Sequence, residues 1–202
     1  MARFKLTFNK QNNSHLGIKI AIREWVLKHV APSGVVDVYG GRGVMFNRVW
    51  RLCAAPYRTS CGDAVSWLSG QGSIVENVFD VDPYASPYEA LEVIGGRAES
   101  DRIGIACTDG TLRRVAMMRT KIPRFIQDKC GWAERDLQLM AAIYHQYPKF
   151  LRHVIGCVMP GWSIERLIVQ YGSGTWRQAT VYFAAILKKR PAAQNGATGS
   201  CD

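Results

Sequence analysis

The feature that most constrains this chain is a short β-branched run that stops at a cluster of glycines: Val35-Val36-Asp37-Val38-Tyr39, then Gly40-Gly41-Arg42-Gly43. β-Branched and aromatic side chains suit a buried, pleated strand, and glycine permits the positive φ that a tight exit turn demands. The pattern predicts a strand, a turn, and a helix reaching about Leu52. The rhythm recurs. Ile74 to Val81 (IVENVFDV) reads as a second strand, closed by Asp82-Pro83-Tyr84, and Arg102 to Cys107 as a third. Residues 57–61 offer a further short strand. Helices fit 64–68, 87–95 and 16–30, the last with Ile18, Ile20, Ile22, Trp25, Val26 and Val30 spaced only roughly helically. The clearest helical stripe spans 133–147, through Leu137, Met140, Ala141, Tyr144 and His145. Ile164–Tyr171 and Trp176–Leu187 flank Gly172-Ser173-Gly174, a hairpin pattern.

Strands alternating with helices imply an α/β fold: a Rossmann-like, mostly parallel sheet flanked by helices, with a C-terminal antiparallel hairpin. The 202 residues suit one domain over 1–190, with a flexible tail at 191–202. At 48% hydrophobic and 21% charged residues, the chain is too apolar to be wholly disordered. It lacks both the ~18-residue apolar run of a membrane span and an apolar block in MARFKLTFNKQNN. A soluble, cytoplasmic protein is the expectation. Six cysteines without a C-x-x-C pair and four histidines without metal spacing suggest neither a zinc site nor a disulfide frame.

Lys plus Arg outnumber Asp plus Glu by 26 to 16, a net charge of +10, which suits a polyanionic partner such as RNA or DNA. Arg113, Arg114, Arg119, Lys121 and Arg124 follow the third strand, interleaved with Met117, Met118 and Phe125. They read as phosphate contacts, against the alternative of a solvated helix face.

Ligands of such sheets sit at the carboxyl ends of the strands, so the tips at Asp37–Gly43 and Asp80–Pro87 should share one crevice. Gly41 and Gly43 leave a backbone surface against which a nucleoside could lie. Phe46 stands where a dinucleotide fingerprint needs its third glycine, which weakens a pyrophosphate reading.

The run Asp37 to Gly43 resembles the D-x-F-x-G-x-G loop of class I S-adenosylmethionine-dependent methyltransferases, with Tyr39 in the aromatic place. The resemblance implies S-adenosylmethionine as cofactor, held by Asp37, Tyr39, Gly41 and Gly43. Asp63 is the best candidate for the acid that binds ribose, although it could instead sit by the adenine. The stretch between is shorter than the family's, which implies that one strand–helix unit is reduced or missing.

Asp82-Pro83-Tyr84-Ala85-Ser86-Pro87 resembles the D-P-F/Y-G-S-P segment of the tRNA guanine-N2 dimethyltransferases, and Thr108-Asp109 resembles that family's Thr-Asp. The likeness covers about residues 35–115. Ala85 replaces the usual glycine, and the family's C-terminal RNA-binding domain is not recognisable. The adenine-N6 enzymes, with D/N-P-P-Y/F, are a more distant relative, so guanine N2 and adenine N6 both stay open. Chemically, a ring amine needs acceptors for its N–H bonds, a fixed carbonyl and a stacking surface. Asp82, Pro83 and Tyr84 supply these in order. The competing class is a catalytically inactive methyltransferase fold kept for binding nucleic acid or protein; a third is methylation of a small molecule or a protein.

Overall fold

In a computed structural model, the described residues are 15–60, 62–83, 85–112, 115, 122–132, 146–172 and 180–191. The elements in chain order are α1 (Leu16–His29), β1 (Val35–Asp37), α2 (Val44–Arg48), β2 (Tyr57–Thr59), α3 (Ala64–Gly70), β3 (Val78–Val81), α4 (Tyr88–Arg97), β4 (Arg102–Asp109), α5 (Arg124–Cys130), α6 (Tyr147–Val158), β5 (Trp162–Tyr171) and β6 (Val181–Lys189). A 3₁₀ turn at Trp50–Leu52 follows α2. The helix expected over 133–147 lies outside the described residues up to 145.

Six strands form one sheet in the order β2-β1-β3-β4-β6-β5. β1 pairs in parallel with β2 and β3, and β3 with β4; β6 runs antiparallel to both its neighbours. The α/β class, the mostly parallel sheet and the terminal hairpin therefore stand as expected. β1, β3 and nearly all of β4 are buried on both faces, which is why each reads as an unbroken apolar run rather than an alternating one.

Alternate residues feed two cores. On one face Val35, Val78, Ala106 and Ile186 meet α1 through Ile22, Val26 and Val30, together with Met45 and Trp50. On the other, Val36, Phe79, Ile105 and Phe183 meet Leu68 of α3, Leu91 and Ile94 of α4, and Leu151 and Val154 of α6. Helix α1 packs on β4 where Gly104 leaves room for it: a Cβ there would stand 2.5 Å from Val26 Cγ1 and 3.4 Å from Val30 Cγ2.

From β1 the chain crosses to β2 on one side, then passes back over β1 to β3 on the other. The direction of winding thus reverses between β1 and β3, and in open α/β sheets the ligand crevice opens at such a reversal. Between Gly43 and Asp63 the chain still forms a helix and a strand, both short: α2 has five residues and β2 three. No strand extends the sheet beyond β2 among the described residues.

Candidate active site at the tips of β1 and β3

Asp37 pairs with Asp80 in the parallel register, so the glycine turn and the Asp-Pro segment leave the same edge of the sheet side by side. Val38 N–H, just past β1, donates to Asp80 O at 2.8 Å and locks the two tips together.

Gly41 (φ +50°) and Gly43 (φ +68°) hold the left-handed conformation, and Gly43 N–H closes the turn on Gly40 O at 2.8 Å. A Cβ on Gly43 would meet nothing nearer than Asn47 Nδ2 at 3.8 Å, so the space beside the turn is open. At Gly40 the constraint comes from below: a Cβ there would stand 2.1 Å from Thr59 Oγ1 and 3.2 Å from Asp37 Oδ2. Asp37 is buried under this turn, and Tyr57 Oη donates to its Oδ2 at 2.9 Å. Burial and the neighbouring Asp80 charge push the Asp37 carboxyl up to about 7, against the pull of the Tyr57 bond and Arg23. Asp37 thus braces the turn rather than lining the open space.

Tyr39 is half-buried; burial, then the charges of Asp63 and Glu89, raise its phenol above the usual range. Asp63 is exposed and caps α3, accepting from Ser66 N–H at 3.2 Å and from the Ser66 hydroxyl. These Ser66 bonds hold its carboxyl below the usual value.

Two acids in the Asp80-Val81-Asp82 run face α1, because residues two apart in a strand share a side. Arg23, fully buried, grips Asp80 with two of its three guanidinium nitrogens: Nε to Oδ2 at 2.6 Å, and Nη2 to Oδ1. Trp50 Nε1 adds a third bond to Asp80 Oδ2 at 2.8 Å. Burial opposes the guanidinium charge, but Asp80, Asp82 and Asp37 outweigh it and raise the Arg23 pKa. Asp82, 19% exposed, takes Lys19 Nζ at 2.6 Å, with Arg23 Nη2 at 3.7 Å. Burial alone would raise the Asp82 carboxyl; Arg23 and Lys19 overcome that and hold it below the usual range, so it is ionised at neutral pH. Thr108 Oγ1, buried at the β4 tip, leans toward the same carboxylate without completing a hydrogen bond.

Pro83 is buried, and Ala85 O accepts Gly110 N–H at 2.7 Å, tying the Asp-Pro segment to the end of β4. Asp109 is wholly buried and accepts from Tyr88 Oη, Tyr147 Oη and Thr111 N–H. It anchors α4 and α6 to the β4 tip.

The fold therefore brings together Asp37, Gly41, Gly43, Asp82 and Pro83. Tyr84, Arg113, Arg114, Arg119 and Lys121 lie outside the described residues. Arg124 is exposed at the start of α5, 3.5 Å from Asp128. Sequence reasoning missed Lys19, Arg23, Trp50 and Tyr57. The available signal was the Phe79-Asp80-Val81-Asp82 run, since a carboxylate in a buried strand needs a cation. Lys19 and Arg23 stand one helical turn apart on the stripe that carries Ile22 and Val26. A separate open concavity of about 640 Å³, lined by Ser73, Glu92, Arg97, Glu99 and Lys189 among others, sits at the opposite edge of the sheet and holds none of these residues.

No protein-family model matches the chain, and no match was found among curated proteins. Solved structures do match. The N-methyltransferase NodS from Bradyrhizobium japonicum WM9, in complex with S-adenosyl-L-homocysteine, aligns over 90% of this chain and 90% of its own, at 9% identity and TM-score 0.54. The plantazolicin methyltransferase BamL, in complex with a triazolic desmethylPZN analogue and S-adenosyl-L-homocysteine, aligns over 88% and 85% at 12% identity and TM-score 0.49. A putative RNA methyltransferase from Pyrococcus horikoshii aligns over 86% and 84% at 8% identity and TM-score 0.41. The chain thus shares the fold of NodS: one mostly parallel sheet flanked by helices.

Proposed function

We propose that this protein is an S-adenosylmethionine-dependent methyltransferase acting on an exocyclic amino nitrogen of a base in RNA or DNA. One observation carries the reading: the glycine turn and Asp82-Pro83 leave adjacent parallel strands at the point where the winding reverses. The shared fold with NodS supports the cofactor.

Gly41 and Gly43, with Tyr39 beside them, would hold the cofactor in the open space along the turn, above the brace that Asp37 and Tyr57 form. Asp63 stands close enough to act on Tyr39 electrostatically and would reach the cofactor from the rim by releasing Ser66. The bound cofactor supplies an electrophilic methyl on a sulfonium. Asp82, ionised, accepts the N–H of the incoming amine and orients its lone pair; Pro83, with φ locked by its ring, fixes the neighbouring carbonyl as a second acceptor. Tyr84 stacks on the base. Lys19 and Arg23, both on Asp82 Oδ2, keep that carboxylate charged. Arg113, Arg114, Arg119, Lys121 and Arg124 would hold phosphates. A base in a duplex must first be flipped out, at a few kcal/mol, so a single strand or loop is the favoured substrate.

Lys19 on Asp82 also gives substance to a second reading, an inactive fold kept for binding nucleic acid or protein. Calorimetry with S-adenosylmethionine separates the two, since an inactive module would give no heat. Incubation with methyl-labelled cofactor and mixed RNA and DNA, followed by nucleoside mass analysis, then identifies the base. Label recovered only in protein or small molecules would overturn the nucleic-acid assignment.

A further inference from the structure

Away from the crevice, α5 ends at Cys130, and the next described helix, α6, carries His153 and Cys157. Four residues apart, those two point from one face of α6. Packing of α5 on α6 brings one donor atom from each of Cys130, His153 and Cys157 within 4.8 Å of the others. Both cysteines are half-buried, and His153 is exposed. Trp132, two residues past Cys130, stacks on the His153 imidazole with ring centroids 4.9 Å apart and planes at 15°, which restricts the ring's orientation.

We propose that Cys130, His153 and Cys157 form a binding site for a soft divalent cation of the zinc type, with a fourth position open to water. Two sulfurs and one imidazole nitrogen are the donor set that zinc favours over oxygen-seeking magnesium or calcium. Tetrahedral zinc bonds of about 2.3 Å to sulfur and 2.0–2.1 Å to nitrogen set the donors about 3.5–3.8 Å apart, so the cluster closes on the ion by no more than about 1 Å. Each thiol releases its proton to solvent as its sulfur bonds the metal, and the two thiolates balance the cation's charge. No electron moves. The ion clamps α5 to α6 across residues 133–145, and α6 is the helix whose first residue, Tyr147, grips Asp109 at the β4 tip.

The test uses the reduced full-length protein with cobalt(II) as a spectroscopic probe, followed by zinc displacement under chelator competition. One equivalent of cobalt should bind with a thiolate charge-transfer band and the visible spectrum of a tetrahedral ion. Cys130→Ser, Cys157→Ser and His153→Ala should each weaken zinc binding by more than about tenfold, since even outer-shell changes at such sites cost 10–100-fold. His153 is exposed, so its variant keeps the fold, and zinc should raise the melting temperature of the wild type but not of that variant. Cys53→Ser should bind as the wild type does. Cobalt bound without the thiolate band, unchanged affinity in the Cys130→Ser/Cys157→Ser double variant, or a Cys130–Cys157 disulfide that survives in the reduced preparation would overturn the proposal.

Discussion

Removing the Arg23 side chain would strand Asp80 as a carboxylate with no buried cation beside it, shared only with Trp50. Breaking such a pair from one side costs about 3–5 kcal/mol. Arg23→Met should therefore unfold at markedly lower urea, and adding Asp80→Asn should recover much of the loss; additive losses would mean the two side chains do not act as a pair. Asp37 and Asp82 respond to pH in opposite directions. The folded Asp37 carboxyl lies near 7 against an unfolded value of 3.8, so the native state holds the extra proton between those limits. Its contribution is complete below pH 4 and is lost as pH rises toward 7. The folded Asp82 value is depressed, so its contribution is present above pH 4 and is lost as pH falls below that. Urea midpoints measured across pH should show the fall between pH 4 and 7 in the wild type and not in Asp37→Asn. On the proposed chemistry, Asp82→Ala should abolish methyl transfer while calorimetry still detects cofactor binding. Equal loss of both would remove Asp82 from its assigned role.

Helix α1 rests on Gly104, and its distance from the sheet sets whether Lys19 and Arg23 reach the acids of β3. Gly104→Ala should cost about 1–3 kcal/mol through overpacking against Val26, and Val26→Ala in the same chain should relieve part of it; chemical denaturation measures both. The central strands were readable in advance because a strand buried on both faces leaves a continuous apolar run. Their limits were less so. β3 begins at Val78 rather than Ile74, since Ile74 makes only an isolated parallel bridge to Ala98, while Asn77 turns its amide to Ala31 O. Helix α2 stops at Arg48, and a 3₁₀ turn then carries Trp50 down to Asp80. The meeting of the two strand tips could be anticipated from topology alone. The cations beneath them could not, because Lys19 and Arg23 precede their partners by 63 and 57 residues, and no local periodicity encodes such a pairing. Asp63 shows the opposite case: in Asp63-Ala64-Val65-Ser66 the spacing of a helix cap was present, and the cap is what formed.

Across the whole molecule, the +10 charge sets the expected behaviour toward polyanions. If phosphates are held by the Arg113 to Arg124 cluster, the logarithm of affinity for a single-stranded oligonucleotide should fall linearly with the logarithm of salt. Replacing Arg124 with Ala should flatten that slope, whereas a salt-independent affinity would point to an uncharged ligand. The strand order carries a separate consequence. β4 lies inside the sheet, yet its outer neighbour β6 is the last of the described strands. As the protein emerges from the ribosome, β4 keeps one row of backbone donors and acceptors unsatisfied until residue 189 is free. During synthesis this edge is open to pairing with another nascent chain, and a stop codon anywhere before β6 would leave it permanently exposed and prone to aggregate.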